Sequence, residues 1–192
     1  MRIGIDLDNT LADYRLPLER MCEAVGVSLP QRDPKMALRE ELRARGGEGE
    51  WTKLQGELYG PLMCEAKLFP GAEETTRHWL SAGCEVFVVS HRTRHPIAGK
   101  KHDLHAYARS WIMESGLGVT GVFLEESQAC KIARIGLLRC RVFVDDLPDI
   151  LGHSDFPEMP RKILFDPGGF HRATGDVKAA ATWTEVRELV SP

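Results

Sequence analysis

Five short apolar runs, separated by helical patterns, constrain the fold of this 192-residue chain more than any other feature. Each run is rich in Val, Ile, Phe or Leu and lacks strict polar–apolar alternation, which is typical of parallel strands covered on both faces. Strands that alternate with helices predict a doubly wound, Rossmann-like α/β fold around a parallel sheet. The predicted strands are residues 2–6, 85–90, 121–124, 141–145 and 162–165.

Helix signals fill the intervals between the later runs. Ser127 is a residue type that caps helix N-termini, and Gly136 is a type that often follows helix C-termini. Thr182 and Glu185 form a capping box at the start of the last helical pattern. We therefore predict helices at residues 73–82 and 103–115, a third between Ser127 and Gly136, and a fourth from Thr182 onward.

One long interval breaks this alternation. Residues 7–84 separate the first two runs, whereas a plain crossover needs only about a dozen residues. We predict a small helical cap at residues 15–66, inserted into a core of residues 1–14 and 67–192, with residues 28–66 carrying specificity. We predict three helices in this cap, each with an apolar stripe. Asp33 caps the second of them and Pro34 is its first residue. The stripes are Leu18, Met21, Cys22 and Val25 in the first helix, Met36, Ala37 and Leu42 in the second, and Trp51, Leu54, Leu58 and Leu62 in the third.

The charge balance argues against some classes of partner. Lys and Arg number 25 and Asp and Glu number 28, so the net charge of −3 offers no basic excess for nucleic acid or an anionic membrane. No apolar stretch approaches the roughly 20 residues that span a bilayer, and the first residues do not resemble a signal peptide. Five cysteines occur without a C-x-x-C pair. We expect a cytoplasmic protein with reduced thiols that binds a small molecule, in an oligomeric state that the sequence leaves open.

Polar side chains gather at the carboxyl ends of the predicted strands, where open parallel sheets bind their ligands. Carboxylates that converge there repel one another unless a proton or a cation intervenes. Mg²⁺ is the simplest such cation, because it prefers oxygen ligands. The residues are Asp6 and Asp8 after the first run, Ser90 at the end of the second, Lys131 in the helix before the fourth, and Asp145 and Asp146 at the end of the fourth.

The same residues fit phosphate chemistry. The Ser90 hydroxyl, the Lys131 ammonium and backbone N–H groups just after Asp6, at Leu7, are donors of the kind that phosphoryl oxygens need. Asp6 could attack phosphorus as a carboxylate nucleophile. Asp8 could protonate the leaving group and later deprotonate a water molecule. The sequence therefore predicts phosphoryl transfer at this edge of the sheet.

The order of these motifs resembles the haloacid dehalogenase-like hydrolase (HAD) superfamily. The resemblance implies a Rossmann-like core, Mg²⁺ and an aspartyl phosphate on Asp6, with Asp8 as acid and base. It also implies that Asp6, the backbone carbonyl of Asp8 and Asp145 hold the metal, with Asp146 close by or acting through water. The matching residues are Asp6-x-Asp8-x-Thr10-Leu11, the strand that ends in Ser90, Lys131, and the strand that ends in Asp145-Asp146.

The resemblance also bears on the substrate. Dehalogenases of the superfamily typically lack the second aspartate, so Asp8 favours phosphoryl transfer, and the predicted insert resembles a C1 cap. The segment 68–72, together with the strand ends at Ser90 and Asp145, is also similar to 5′(3′)-deoxyribonucleotidases. We expect a Mg²⁺-dependent phosphomonoesterase acting on a small phosphorylated metabolite. The alternatives are a nucleotidase acting on nucleoside monophosphates and a non-catalytic phosphate-binding protein.

A basic segment follows Ser90. Residues 91–109 hold five Lys or Arg residues against the single acid Asp103, so they form either an anion-attracting wall or a solvated basic loop. His91 is a candidate phosphate-binding residue, and Thr10, Arg92 and Arg94 are candidate substrate contacts. A zinc site at His91, His95, His102 and His105 is disfavoured, because no Cys accompanies them and Pro96 and Gly99 break the segment. Trp51 and Tyr59 could stack on a substrate, although their helical spacing favours a core position.

Overall fold

The protein, described here from a computed structural model that covers residues 1–26 and 34–190, is built around a six-stranded parallel sheet. The strands are β1 (Arg2–Ile5), β2 (Ala12–Asp13), β3 (Lys67–Leu68), β4 (Glu85–His91), β5 (Gly121–Glu125), β6 (Val142–Asp145), β7 (Arg161–Phe165) and β8 (Lys178–Ala180). The sheet has the order β5-β4-β1-β6-β7-β8, and all five strand pairs are parallel. The predicted doubly wound α/β class and all five predicted strands are confirmed.

Eight α-helices lie in the described part of the chain: α1 (Arg15–Val25), α2 (Pro34–Ala44), α3 (Glu48–Leu58), α4 (Ala72–Ser81), α5 (Leu104–Glu114), α6 (Gln128–Leu137), α7 (Pro148–Leu151) and α8 (Trp183–Leu189). A 3-10 helix covers Pro61–Glu65. The side chains of Ser127 and Thr182 accept the predicted capping hydrogen bonds, from Cys130 N at 3.1 Å and Glu185 N at 3.2 Å. No described helix is long and apolar enough to cross a membrane.

Two predictions concern the ends of helices. The prediction that α6 ends before Gly136 is wrong, because the helix continues to Leu137 and the left-handed residue just beyond it is Arg139, with φ of 52°. Gly136 instead leaves room for Pro157, whose Cγ would lie 3.3 Å from a Cβ added at this position. Asp33, the predicted N-terminal capping residue of the second cap helix, lies outside the described residues.

A small two-stranded ribbon encloses most of the segment between β1 and β4. Strands β2 and β3 pair antiparallel, with Ala12 opposite Leu68 and Asp13 opposite Lys67. Helices α1, α2, α3 and the 3-10 helix follow one another between these strands and contact each other. Their apolar stripes supply buried residues, among them Leu38, Trp51 and Met63. The cap boundaries at residues 15 and 66 stay a prediction, but the ribbon brings the two predicted boundaries together.

The centre of the sheet positions the functional side chains. Strand β1 lies between β4 and β6, and Gly4 allows this close packing, since a Cβ there would lie 2.5 Å from the Phe143 ring. Trp183 of α8 is fully buried, and its Nε1 donates to the carbonyl of Thr10 at 3.1 Å. The C-terminal helix thereby fixes the loop that follows β1.

Candidate active site

Three predicted site residues meet at the carboxyl end of the sheet because their strands are neighbours. Asp6 follows the last residue of β1, and its backbone N–H donates to the Val144 carbonyl of β6 at 2.9 Å. Ser90 lies near the end of β4, and Asp145 is the last residue of β6. All three are buried. The strand order alone therefore places a hydroxyl and two carboxylates side by side.

Lys131 joins this group from α6. Its Nζ donates to Asp6 Oδ1 and to Asp145 Oδ2, both at 2.6 Å, and the side chain is buried. Burial by itself lowers the pKa of Lys131, but attraction to the two carboxylates outweighs it and the pKa is raised. Lys131 is therefore a permanent cation between two acids.

One ammonium does not balance the acids at this edge. Carboxylate oxygens of Asp6, Asp145 and Asp146 all lie within 4.8 Å of one another, and no other group of three potential metal ligands occurs in residues 1–26 and 34–190. Burial, opposed in part by Lys131, raises the pKa of Asp6 to about 7. Burial followed by repulsion from Asp145 raises the pKa of Asp146 well above its usual value. This donor set fits a hard divalent cation such as Mg²⁺, which would remove the cost of holding these groups ionised.

The Asp8 carboxylate lies outside the group of three. It accepts a hydrogen bond from Tyr14 Oη at 2.6 Å and forms an ion pair with Arg92, while Ser90 Oγ lies 3.5 Å from Asp8 Oδ2. The tight turn after β1 produces this separation: the Leu7 carbonyl accepts hydrogen bonds from the N–H groups of Leu11 and Ala12, and Asn9 adopts a φ of 60°. The Asp8 side chain is thus held by Tyr14 and Arg92, apart from the three converging carboxylates.

A cavity of about 260 Å³ opens at these residues. Asp6, Asp8, Ser90 and Lys131 line one side of it, and His91, Arg92 and Asp146 also contribute to its wall. The lining also includes Thr52 and Gln55 of α3, Thr93 and Ile97 of the basic segment, and Lys35 of α2. A second cavity of about 340 Å³ shares Asn9, Lys35 and Asp146 with the first and includes the loop of residues 165–168.

Of the other predicted residues, Leu7, Thr10 and Arg94 lie away from the first cavity, whereas His91 lines it. The side chains of Leu7 and Thr10 are buried, and within the described chain Thr10 Oγ1 has no hydrogen-bond partner. Arg94 is exposed and pairs with Asp103 at 3.1 Å. His91 reaches the cavity, but burial and the nearby charge of Lys131 lower its pKa, so it is neutral near pH 7.

Two histidines of the basic segment, His102 and His105, contact other groups of the protein. His102 Nε2 lies 3.1 Å from Glu57 Oε1 of α3, and His105 Nε2 lies 2.7 Å from the Arg92 carbonyl. Pro96 packs so closely on α3 that a Cβ at Gly56 would lie 2.8 Å from it. The segment therefore forms one wall of the cavity together with α3.

Sequence reasoning missed Lys35 and undervalued Tyr59. Both line the first cavity, and Lys35 Nζ lies 5.3 Å from the centre of the Tyr59 ring. Burial lowers the pKa of Lys35, but Tyr59, Asp146 and Asp8 outweigh it and the pKa is raised. No local pattern distinguishes Lys35 from a solvated helix lysine, because its role depends on contacts distant in sequence.

Comparison with known proteins establishes the fold. No protein-family model and no curated protein matches the sequence. Solved structures do match: PtkA, protein tyrosine kinase A of Mycobacterium tuberculosis, is 18% identical with a TM-score of 0.63, over 100% of this chain and 98% of that one. The HAD-hydrolase YfnB of Bacillus subtilis, bound to magnesium, is 11% identical with a TM-score of 0.62, over 100% of this chain and 98% of YfnB. A predicted phosphoglycolate phosphatase from Haemophilus somnus is 14% identical with a TM-score of 0.60, over 98% and 97%.

The chain thus has the fold of HAD-superfamily hydrolases, as the order of its motifs indicates. The names of these three proteins differ in the reactions that they imply. At such identities the likeness establishes the architecture, and the choice of reaction depends on the residues of the site itself.

Proposed function

We propose that this chain is a Mg²⁺-dependent phosphomonoester hydrolase that acts on a small phosphorylated metabolite through an aspartyl phosphate on Asp6. One observation carries the proposal: Asp6, buried and held by Lys131 beside Asp145, opens onto a cavity that also contains the separately held Asp8. Two carboxylates two residues apart in sequence therefore have different surroundings, as a nucleophile and an acid–base catalyst require.

In the proposed reaction Asp6 attacks phosphorus, the ester P–O bond breaks, and the phosphoryl group is transferred to Asp6. Asp8 donates a proton to the departing oxygen, so the alcohol leaves neutral. The ionised Asp8 then takes a proton from water, whose oxygen attacks phosphorus and breaks the bond to Asp6. Inorganic phosphate leaves, and both aspartates return to their starting states.

Lys131 and Ser90 are the proposed donors to the phosphoryl oxygens. Both are buried at the Asp6 end of the cavity, where their hydrogen bonds are strengthened by the exclusion of water. Asp6, Asp145, Asp146 and the backbone carbonyl of Asp8 would hold Mg²⁺, which supplies charge neutralisation for the phosphoryl group when it is bound. The small size of the cavity favours a compact leaving group, and the polar side chains of Thr52, Gln55 and Thr93 in its lining favour a hydroxylated one.

A panel of phosphorylated metabolites, assayed for phosphate release with Mg²⁺ and with EDTA, tests the function. We expect turnover of small phosphomonoesters with Mg²⁺, and loss of that turnover in EDTA with recovery when Mg²⁺ is added back. Turnover restricted to nucleoside monophosphates would favour the nucleotidase alternative. Absence of turnover of any phosphomonoester with Mg²⁺ would contradict the proposal and leave a phosphate-binding protein.

The proposed metal ligands can be tested without an activity assay. Because Mg²⁺ would bind the folded chain and not the unfolded one, we expect it to raise the free energy of unfolding, by about 2.7 kcal/mol at a hundred times its dissociation constant. Asp146→Asn should weaken this stabilisation, whereas Asp149→Asn, at an exposed neighbour, should leave it unchanged. Equal stabilisation of both variants by Mg²⁺ in a thermal or denaturant titration would show that Asp146 is not a ligand of the metal.

A further inference from the structure

Arg92 lies deep in the site without belonging to the phosphate or metal groups. It directly follows the last residue of β4, two residues after Ser90, and its side chain is 2% exposed. Nearby basic residues such as Arg94 and Lys100 are exposed. A guanidinium cannot lose its charge in a protein, so burial on this scale requires a carboxylate partner.

That partner is Asp8, and the contact is specific to one of its oxygens. Arg92 Nη2 donates to Asp8 Oδ1 and also lies 3.0 Å from Tyr14 Oη, which itself donates to the same Oδ1 at 2.6 Å. Asp8 Oδ2 lies on the other side, 3.5 Å from Ser90 Oγ. One oxygen is therefore fixed by two donors, and the other faces the phosphate end of the cavity.

Arg92 takes its own position from the predicted cap. Its Nη1 donates to the Tyr59 carbonyl at 3.0 Å and lies 3.1 Å from Met63 Sδ. Its guanidinium carbon lies 5.1 Å from the centre of the Tyr59 ring, within the range of a cation–π contact. The two terminal nitrogens thus join the segment 59–63 to Asp8.

We propose that Arg92 is the positioning residue of the acid–base aspartate: together with Tyr14 it fixes Asp8 Oδ1 so that Oδ2 transfers the proton. This inference rests on the proposed function. The arrangement serves both proton-transfer steps, because Oδ1 accepts hydrogen bonds whether Oδ2 carries a proton or not. It differs from a substrate-binding role, in which Arg92 would contact the phosphate or the leaving group directly.

The test compares two substrates with Arg92→Gln and Arg92→Lys. An aryl phosphate has a good leaving group and needs little protonation, whereas an alkyl phosphate depends on the acid. We expect Arg92→Gln to lower kcat/KM for the alkyl ester at least about tenfold more than for the aryl ester. Arg92→Lys should recover part of the loss, because it keeps the positive charge, but not all of it, because it lacks the forked N–H donors of the guanidinium. Arg77→Gln, at an exposed site on α4, is the control and should leave kcat/KM unchanged for both substrates.

A double-mutant cycle with Asp8→Asn separates positioning from packing. If Arg92 acts through Asp8, Arg92→Gln should add little to the loss already caused by Asp8→Asn. Should Arg92→Gln fail to fold, Tyr14→Phe removes the other donor to Oδ1 and should shift the substrate ratio in the same direction. Equal losses on both substrates, or additive losses in the cycle, would overturn the positioning role while leaving the hydrolase intact. A wild-type chain that hydrolyses neither ester would overturn the proposed function and this inference with it.

Discussion

Replacing Asp6 by Asn is expected to lower kcat/KM for an aryl phosphate in Mg²⁺ by roughly a thousandfold or more. The amide oxygen of Asn is a far weaker nucleophile than a carboxylate, and an aspartyl phosphate could not form at this position. Asn also removes one of the three converging carboxylates, so Mg²⁺ affinity should fall as well. Steady-state assays at saturating Mg²⁺ separate the two effects.

The fold should tolerate this change. Burial raises the pKa of Asp6 from its ordinary value of 3.8 to about 7, so ionising this group destabilises the folded protein relative to the unfolded chain, a cost that grows between these two values and is complete above about pH 7. A neutral Asn relieves this cost, and its carbonyl can still accept from Lys131, which keeps its bond to Asp145. The unfolding midpoint of the metal-free variant at pH 8 should therefore equal or exceed that of the wild type.

Asp155→Asn is the matched control, because it makes the same chemical change at an exposed position. It should leave both kcat/KM and the unfolding midpoint unchanged. Appreciable hydrolysis by Asp6→Asn, with its side-chain identity confirmed by mass spectrometry after the assay, would show that Asp6 is not the nucleophile.

The sequence alone predicts the residues whose place depends on strand order. Asp6, Ser90 and Asp145 each end an apolar run, and parallel strands bring such ends to one edge, so their convergence follows from the fold class. Strand β8 escaped prediction because it has three residues, only one of them buried. The two-residue strands β2 and β3 are likewise too short to show a period.

The partners of Asp8 lie beyond the reach of sequence patterns. Arg92 is 84 positions from Asp8 in the sequence, which predicts it either at the surface of a basic segment or in contact with the substrate. Its burial depends on two segments distant from it in sequence, since Asp8 and Tyr14 after β1 and Tyr59 after α3 all contact it. Sequence periodicity reports which face of one element is covered, and carries no information about such a junction. The link that Arg92 makes between the predicted cap and Asp8 therefore appears only in the folded chain.

Asp8→Asn is expected to reduce kcat for an aryl phosphate by about 10² to 10⁴-fold and to accumulate the phosphoenzyme. The aryl leaving group needs little protonation, so transfer to Asp6 should still occur. Hydrolysis of the aspartyl phosphate then lacks its base, because Asn cannot take a proton from water. Mass spectrometry of the quenched protein should show one added phosphoryl group, which Asp6→Asn abolishes in the double variant.

Stability distinguishes loss of this base from loss of structure. Asn keeps an oxygen for Tyr14 and Arg92 but removes the charge that balances the buried guanidinium. Breaking a buried ion pair costs up to about 3–5 kcal/mol, so the free energy of unfolding should fall, and kcat must be measured well below the unfolding midpoint. Under those conditions a folded variant with unchanged turnover would exclude Asp8 from the mechanism. A slow variant without the phosphoenzyme would instead assign Asp8 mainly to the first proton transfer, since accumulation requires that hydrolysis of the aspartyl phosphate be slower than its formation.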